Sequence, residues 1–486
     1  MRVPAVRLRA VNGAPVRERG RFVLYWMTSS RRASHSFALD RAVEVARERR
    51  QPLLVLEALR AGYPWASDRL HAFVLQGMAD NARTFGQAGI AYHPYVEPEP
   101  GAGRGLLAAL AARASLVVTD DFPSFFLPRM VAAAGARLDV RLEAVDSNGL
   151  LPLAAAPAVY PTAHAFRRFL QRELPRHLAA LPSPRPLVAS GLRGAELPRG
   201  VLSRWPAAST ALLDAAPEAL AALPIDHGVP PAPLRGGSAA AGETLRGFLR
   251  TRLARYGERS HPDEDASSGL SPWLHFGQVS AHEVFARLAR REGWRRSRLG
   301  EVTGSRTGFW GMSAEAEAFL DELVTWRELG FNMASKRPEC DRYESLPRWA
   351  LDALERHARD RRAHVYDLAD LTAARTHDPL WNAAQRQLLA EGRIHNYLRM
   401  LWGKKILEWS PSPRAALAAM LELNDRYALD GRDPNSLSGI FWVLGRYDRP
   451  WGPERPVYGT VRYMSSENTL RKLHAREYLR RWSGAG

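Results

Sequence analysis

The feature that most limits the possible folds is an alternation of short apolar runs and helical segments between residues 21 and 155. The apolar runs predict strands, and the segments between them carry apolar residues near the 3.6-residue period of a helix. This order is typical of βαβ units, so it predicts an α/β domain with a doubly wound parallel sheet. We predict strands at 22–27, 52–56, 91–96, 115–119 and 140–145, with helices at 38–49, 72–88, 106–114 and 125–134.

The pattern changes twice after this region. Between residues 156 and 240, frequent proline, alanine and glycine predict an interdomain connector that carries short helices. From residue 241 onward nearly every segment has a helical period. We therefore expect an α/β domain at 20–155, a connector at 156–240 and an all-α domain at 241–486. Its predicted helices are 242–256, 280–292, 314–327, 347–358, 379–391, 394–409 and 413–423.

Charge and cysteine content narrow the class of protein. The chain has 68 basic and 51 acidic residues, a net charge of +17. This surplus favours an anionic partner, nucleic acid before an acidic membrane, although an arginine-rich composition without a specific partner is the alternative. No apolar run reaches the ~20 residues that span a membrane. The single cysteine, Cys340, excludes an intrachain disulfide framework, fits a reducing cytoplasm and predicts no metal cluster.

The stretch from Trp381 to Trp442 has an unusual composition for a helical core. Trp402 and Trp409 are seven residues apart and so share one helix face, while Asn396 and Arg399 share another. Indoles beside an Arg/Asn/Asp set are unusual for a core that only packs, although aromatic residues at a helical period are more often core. The alternative is a bundle whose tryptophans are core and whose polar groups are caps.

Three further groups of residues carry possible chemistry. The serine-rich segment 266–280 could bind phosphate through hydroxyl and backbone N–H groups, or could simply cap helices. Glu322 and Trp326 are four apart on one helix face, where burial would raise the Glu322 pKa and let it exchange a proton. The alternative is a surface glutamate above a core tryptophan. Basic and aromatic residues alternate in the tail after Arg455, which suits either nucleic-acid binding or a solvated helix face.

Taken together, these motifs resemble the DNA photolyase/cryptochrome family, most closely its class II cyclobutane pyrimidine dimer photolyases. The resemblance covers most of the chain, from the strand at 22–27 to the segment at 462–464. It is carried by Leu270-Ser271-Pro272-Trp273-Leu274-His275-Phe276-Gly277-Gln278, Arg327-Glu328-Leu329, Asp378-Pro379-Leu380-Trp381-Asn382-Ala383, Arg399-Met400, Trp402, Lys404-Lys405-Ile406-Leu407-Glu408-Trp409, Asp430-Gly431-Arg432-Asp433-Pro434 and Arg462-Tyr463-Met464.

The resemblance implies an α/β antenna domain, a connector and a helical domain that holds FAD. It also implies light-driven electron transfer from reduced FAD to a pyrimidine dimer, which opens the cyclobutane ring. Within the helical domain, Asn424 would face flavin N5. The implied FAD contacts are Tyr256, Ser267, Ser268, Leu270, Ser271, Gln278, Arg327, Asn396, Arg399, Asn424, Asp430 and Arg432.

The same resemblance assigns residues to electron transfer and to the substrate. Trp402 and Trp381 would form the electron-transfer pair that leads to the surface, with Trp409 as a branch. Glu322 would bond to the base edge of the dimer. Trp326, Met400 and Trp442 would form the walls of the dimer pocket, and Asp448, Arg449 and Trp451 would fill the hole left in the duplex.

Several further expectations follow from the resemblance. A second antenna chromophore, a deazaflavin or a folate, is possible in the α/β domain. We expect a monomeric, cytoplasmic, nucleoid-associated protein whose partner is DNA with pyrimidine dimers. Two alternatives remain: a cryptochrome-like blue-light photoreceptor that does not repair DNA, and repair of (6-4) photoproducts, for which His395 is a possible acid.

Overall fold

A computed structural model describes residues 2–188 and 190–484 of the 486-residue chain, and these residues form two compact units. The first unit contains Met1–Pro157, Glu173–Arg246 and Leu270–Ser297. The second contains Ala158–Arg172, Gly247–Gly269 and Arg298–Gly486. Both units are therefore assembled from separated segments, whereas the sequence predicts contiguous ranges.

The first unit is built on one sheet whose described strands follow the order β1-β6-β5-β2-β3-β4. β1 pairs antiparallel with β6, and the other neighbours are parallel, which confirms the predicted fold class. The antiparallel edge strand β1 was not predicted, because three residues are too few for a periodic signal. The strands are β1 Leu8–Ala10, β2 Phe22–Met27, β3 Leu53–Leu59, β4 Ala91–Val96, β5 Ala114–Asp120 and β6 Leu142–Val145.

Helices cover both faces of this sheet, so the central strand β2 is buried on each side. Val23, Tyr25 and Met27 pack on one face, while Leu24 and Trp26 pack on the other. Such continuous burial is typical of a parallel strand. The helices of this unit include Phe37–Glu48, Asp68–Gln87, Leu106–Ala111, Leu127–Gly135, Arg199–Arg204, Thr210–Leu213, Pro217–Ala221, Ser271–His275 and Ala281–Arg291, and Ser238–Gly247 ends at its border.

The segment Leu270–Ser297 belongs to this first unit because its side chains pack on the helix Asp68–Gln87. The Trp273 ring lies 5.7 Å from the Phe73 ring. The Gln278 amide donates to the Phe73 carbonyl at 2.9 Å and accepts from the Gly237 N–H at 2.7 Å. These are long-range contacts, and the helical period that placed this segment in the all-α domain carries no information about them.

The second unit is helical, as predicted. Two of its helical stretches contain π turns, Phe248–Arg252 and Asp321–Trp326, where the sequence predicts uninterrupted helices. The described helices of this unit also include Ala314–Leu320, Arg327–Lys336, Arg348–Arg356, Leu368–Thr372, Pro379–Glu391, Asn396–Trp409, Pro413–Tyr427, Pro434–Val443, Ser466–Lys472 and Arg476–Trp482, with the 3₁₀ turn Leu253–Glu258.

One long helix, Ala163–His177, begins in the second unit inside the predicted connector. The sequence predicts only short helices there. The chain just before this helix is held by Asn332, whose amide donates to the Ala158 carbonyl at 2.9 Å and accepts from the Tyr160 N–H at 3.2 Å. A buried side chain from the helix Arg327–Lys336 thus fixes where the connector starts.

Close helix packing in this unit depends on Gly330. A Cβ atom at this position would lie 2.6 Å from the Pro434 carbonyl oxygen and 2.7 Å from the Ser438 hydroxyl. The helices Arg327–Lys336 and Pro434–Val443 can approach this closely because no side chain separates them. This contact brings together two helices that carry predicted site residues.

Candidate active site

Three fully buried tryptophans lie in contact in the second unit, and we call this group the tryptophan stack, in which two rings are parallel and the third meets one of them edge to face. The Trp402 and Trp381 rings are 6.4 Å apart, with an angle of 1° between their planes. The Trp409 ring lies 5.6 Å from the Trp381 ring, at 70°. The indole N–H of Trp381 donates to the Trp402 carbonyl at 3.0 Å, and that of Trp402 donates to Gln385 Oε1 at 2.9 Å. Hydrogen bonds therefore fix the Trp381 and Trp402 rings, and Trp409 is held by packing against Trp381.

Local sequence explains how two helices present this stack. The helix Pro379–Glu391 begins at Asp378, whose carboxylate accepts from the backbone N–H groups of Leu380 and Trp381. It ends at Gly392, whose φ of 68° is readily adopted by glycine. The helix Asn396–Trp409 then returns with Trp402 and Trp409 two turns apart on one face, so both reach the first helix.

Aromatic rings continue from this stack to the protein surface. Trp409 contacts Tyr366 at 5.5 Å and His377 at 5.2 Å between ring centroids. The Tyr366 hydroxyl and His377 Nδ1 are 2.8 Å apart, and His377 is exposed. Neither Tyr366 nor His377 was predicted, because both lie outside helices, where no apolar period marks them.

The helix Asn396–Trp409 also contributes to an ion pair whose side chains are only 12% and 11% exposed. Arg399 donates to Asp430 Oδ1 at 2.8 Å and to Oδ2 at 3.4 Å. The Ser436 hydroxyl is 3.5 Å from the same guanidinium. The structure thus brings together Arg399 and Asp430, which the sequence places 31 residues apart, while Asn396 at the start of the helix is exposed.

Asn424 is joined to this pair through Ser436. The Ser436 hydroxyl donates to Asn424 Oδ1 at 3.2 Å, and the Asn424 amide donates to Asp425 Oδ1 at 2.8 Å. Asp425 Oδ1 also accepts from the Arg432 N–H at 3.0 Å. The Asn424 side chain is 3% exposed. Among the described residues it uses one amide hydrogen, so the second is available to a bound acceptor.

Glu322 and Trp326 lie in the π turn Asp321–Trp326, where both remain partly accessible. Glu322 Oε1 is 3.3 Å from the Arg259 guanidinium, and the Glu322 side chain is 38% exposed. Partial burial raises the pKa of this carboxyl, and Arg259 opposes the rise. The guanidinium also lies 4.6 Å over the buried Tyr256 ring. This arrangement suits a carboxyl that keeps its proton to a higher pH than an exposed glutamate does.

Two basic side chains lie close to the face of the Trp442 ring. The buried Lys404 ammonium is 5.3 Å from the Trp442 ring and the Arg462 guanidinium is 5.5 Å from it. Lys404 also donates to the Val443 carbonyl at 2.5 Å. Burial lowers the pKa of Lys404 to about 7, although the Asp448 charge opposes this. The tip of Met400 reaches Gly439, one turn before Trp442 on the same helix.

The loop after this helix repeats the combination of cation and indole. The Trp451 ring has two guanidinium groups over it, those of Arg462 at 3.9 Å and Arg449 at 4.3 Å. Asp448 accepts from Arg462 at 2.9 Å and from the Trp451 indole at 3.1 Å. Burial raises the pKa of Asp448, but Arg462 and the neighbouring donors lower it overall. A preformed, basic and aromatic loop of this kind suits phosphate contacts and base stacking.

The remaining predicted cofactor residues are divided between the units. Ser267 and Ser268 lie in the second unit, next to Gly269 with its φ of 67°. Leu270, Ser271 and Gln278 lie in the first unit; Leu270 is buried and Ser271 is exposed. In the second unit, the buried Arg327 guanidinium stacks at 4.3 Å over Phe331. Their assignment to FAD stays a prediction.

His395 is half-buried and directly precedes the helix Asn396–Trp409. Its backbone N–H donates to Gln387 Oε1 at 3.0 Å. Burial lowers the pKa of the imidazole to about 4, and the Arg259 backbone opposes this only in part. The ring is therefore neutral at neutral pH, which does not favour a role as a protonated acid.

Two possible features are absent from the described residues. Residues 2–188 and 190–484 contain no cluster of three His, Cys, Asp or Glu side chains placed to hold a metal ion. Nor does any helix in that part of the chain have the length and apolar character needed to cross a membrane.

Comparison with known proteins gives relatives over the whole length. The deoxyribodipyrimidine photo-lyase of Methanothermobacter thermautotrophicus is 33% identical over 487 residues, 99% of this chain and 99% of that protein. The enzymes of the same name from Potorous tridactylus and Oryza sativa are 31% and 33% identical. They align over 95% and 94% of this chain, and over 81% and 86% of their own lengths. No protein-family model matches.

Solved structures extend the comparison to the fold. A class III photolyase from Agrobacterium tumefaciens superposes with a TM-score of 0.69 at 17% identity, over 95% of this chain and 86% of that chain. A cryptochrome from Synechocystis superposes with a TM-score of 0.68 at 15% identity, over 95% of this chain and 88% of that chain.

The fold is therefore that of the photolyase/cryptochrome class, with an α/β unit and a helical unit. Sequence identity over most of the length of several relatives identifies the family within this class. The chain belongs to the deoxyribodipyrimidine photo-lyase family.

Proposed function

We propose that this protein is a light-dependent lyase that splits cyclobutane pyrimidine dimers in DNA with reduced FAD. The observation that carries the proposal is the buried Trp402–Trp381–Trp409 stack, in a chain that belongs to the photo-lyase family. Such a stack suits electron transfer, since its rings are in close, fixed contact. The net charge of +17 suits a DNA substrate.

The polar residues of the helical unit fit FAD. The buried Asn424 amide has a hydrogen available for an acceptor such as N5 of oxidised flavin, and its orientation is fixed by Asp425 and Ser436. Arg399 and Asp430 add a rigid ion pair beside it. When bound in its reduced form, FAD supplies a light-driven electron that opens the cyclobutane ring, and takes the electron back.

The other assigned residues act on the cofactor or on the damaged base. Ser267 and Ser268 hold phosphate oxygens through hydroxyl and N–H groups. Glu322 binds the polar edge of the dimer, with its proton occupancy set by partial burial and by Arg259. Trp326, Met400 and Trp442 pack against the extrahelical dimer, whose removal from the duplex costs little because its pairing is already weakened.

The loop with Asp448, Arg449 and Trp451 occupies the space that the dimer leaves. Asp448 holds both Arg462 and the Trp451 indole, so the loop needs little ordering on binding. We further propose that the enzyme is a cytoplasmic, nucleoid-associated monomer, and that among the photolyase classes it is most like class II. Light scattering of the purified protein tests the monomer.

The decisive experiment uses an oligonucleotide that contains one cyclobutane thymine dimer. The purified, photoreduced protein is illuminated with blue light, and the repaired strand is quantified by chromatography. We expect light-dependent conversion to two thymines. A protein that binds and photoreduces FAD but never repairs the dimer would contradict the proposal and favour a photoreceptor.

Glu322 variants test the site itself. Glu322→Ala should lower the repair yield while FAD stays bound, and Glu322→Gln should retain part of it, since the amide can still donate a hydrogen bond. Glu355→Ala is the matched control, because Glu355 also faces an arginine, Arg414, at 3.5 Å. Loss of FAD from Glu322→Ala would show instead that this position is structural.

A further inference from the structure

The residues that present Glu322 depart from ordinary helix geometry. The π turn Asp321–Trp326 lies between the α-helices Ala314–Leu320 and Arg327–Lys336, in one continuous helical stretch. π turns inside α-helices are rare and occur frequently at functional sites. Within this turn the Asp321 carboxylate is buried, whereas the side chains of Glu322 and Trp326 are partly accessible.

Asp321 is held by an arginine from a distant part of the sequence. Arg167 Nε donates to Asp321 Oδ1 at 2.7 Å, and a second guanidinium nitrogen donates to Oδ2 at 3.0 Å. The two side chains are 7% and 8% exposed. A forked pair with both ends buried fixes the carboxylate in direction as well as in distance.

Arg167 is itself fixed by the rest of its helix. One turn later, the Gln171 amide donates to the Ser305 carbonyl at 2.9 Å and accepts from the Gly304 N–H at 2.7 Å. The Arg167 guanidinium also reaches the Gly304 carbonyl at 3.4 Å. The start of the helix Ala163–His177 is thereby fastened to the loop around residue 304, which leaves Arg167 little freedom to follow a moving Asp321.

We propose that Arg167 is a positioning residue whose fork on Asp321 sets the π turn, and with it the placement of Glu322 and Trp326 against the dimer. The role assigned to those two side chains rests on the proposed function. The pair has a second effect, because Asp321 and Glu322 are adjacent carboxylates. With Arg167 in place, the charge of Asp321 is compensated and Glu322 remains the accessible acid of the turn.

Stability alone does not explain this ion pair. A buried pair often adds little net stability, because removing two charges from water offsets their attraction, and well-packed apolar side chains can replace it. The two parallel hydrogen bonds from Arg167 do, however, fix the direction of the Asp321 carboxylate in the turn. Arg167→Lys therefore distinguishes charge compensation from orientation, since lysine keeps the charge but cannot form both hydrogen bonds at once.

The experiment measures the repair yield per absorbed photon in FAD-loaded Arg167→Lys and in the double variant Arg167→Met/Asp321→Leu. The double variant replaces the pair with apolar side chains and remains informative where the lysine variant does not fold. We expect both to retain FAD and to lose repair yield about tenfold, as displaced reacting groups do. Affinity for dimer-bearing DNA and amide hydrogen exchange across 321–326 are measured on the same samples, and exchange should become faster.

Arg7→Lys is the matched control. Arg7 forms another buried pair, with Asp146 at 3.6 Å in the first unit, so its substitution should lower stability without altering repair yield. Wild-type yield and wild-type exchange across 321–326 in both Arg167 variants would overturn the proposal. A native protein that repairs nothing would overturn the proposed function instead, and the exchange measurement would still decide whether Arg167 orders the turn.

Discussion

Two groups of tryptophans in the helical unit have opposite surroundings. Trp402, Trp381 and Trp409 are buried against one another, and the indole N–H groups of the first two donate to a carbonyl and to an amide oxygen. Trp442 and Trp451 are partly accessible and have cations at their faces. Tryptophan thus occurs in this unit in two different electrostatic environments.

Electrostatics explains the difference. Hydrogen bonds from an indole to oxygen atoms favour the positively charged form that arises when an electron leaves, because they stabilise charge on the donor. A cation on the ring face is attracted to the neutral indole and opposes its oxidation. Trp409 has Lys405 at 5.6 Å, but Glu408 lies 3.1 Å from that ammonium and compensates its charge. The buried group therefore suits electron donation, and the cation-flanked group suits contact with DNA.

The largest effect should come from breaking the buried group. Trp402→Phe should slow photoreduction of oxidised FAD about 100-fold, the rate equivalent of ~3 kcal/mol, because phenylalanine is much harder to oxidise. Repair by enzyme reduced chemically beforehand should change little. Transient absorption and a repair assay give the two values. Trp442→Phe is the comparison, and an equal loss of photoreduction there would remove the distinction between the groups.

The cation beneath Trp442 can be tested through pH. Burial lowers the pKa of Lys404 to about 7 in the folded chain. In the unfolded chain the same ammonium keeps its proton up to the ordinary lysine pKa of about 10.4, so between these pH values the unfolded state binds more protons. The free energy of unfolding should therefore rise with pH above 7, by about 2 kcal/mol between pH ~7 and ~9, and Lys404→Met should lack this rise. Urea unfolding at both pH values measures it.

Lys405→Met is the control for that experiment. Lys405 is the next residue, and its ammonium pairs with Glu408 at 3.1 Å. If the unfolding free energy depends on pH identically in the native protein and in Lys404→Met, the Lys404 ammonium keeps its charge throughout this pH range. Lys404 would then be a permanent cation at the Trp442 ring, as Arg462 is.

A smaller effect is expected when the outer indole is removed. Trp451→Ala should weaken binding to dimer-bearing duplex about tenfold, since stacking of one base on an aromatic side chain contributes about 1–3 kcal/mol. Fluorescence anisotropy with labelled duplex measures this loss. Trp482→Ala, which removes an indole beside Arg481 in the C-terminal helix, separates the loop from the basic tail. If Trp482→Ala weakens DNA binding more than Trp451→Ala does, the indole that stacks on the DNA lies in the tail and not in the loop.

The smallest effect concerns a single cation. Arg449→Ala should reduce the slope of log affinity against log salt concentration by about 1, the value for one phosphate contact, and should do so equally for damaged and undamaged DNA. Arg204→Ala removes a guanidinium with a similar position over an indole, 4.5 Å from the Trp205 ring in the α/β unit. An unchanged slope for Arg449→Ala would show that this cation orders Trp451 rather than binding phosphate.

Much of the architecture follows from local pattern. The strands Phe22–Met27 and Ala91–Val96 and the helix Pro379–Glu391 begin and end where predicted, because periodic apolar residues and strong end signals such as Asp378-Pro379 act within a few residues. Helical spacing also placed Trp402 and Trp409 on one face. The resemblance to a family then named Arg399, Asn424 and Asp430, which the fold brings to one cluster.

Interactions across long stretches of chain were beyond such reasoning. The Arg167–Asp321 fork joins residues 154 apart, the π turn replaces what a periodic pattern describes as plain helix, and Gln278 binds Phe73 across 205 residues. Each depends on which surfaces meet after the chain has folded. Hydrophobic period is a property of neighbours in sequence, whereas burial, pairing of charges and proton affinity are properties of neighbours in space, and only the folded arrangement defines those.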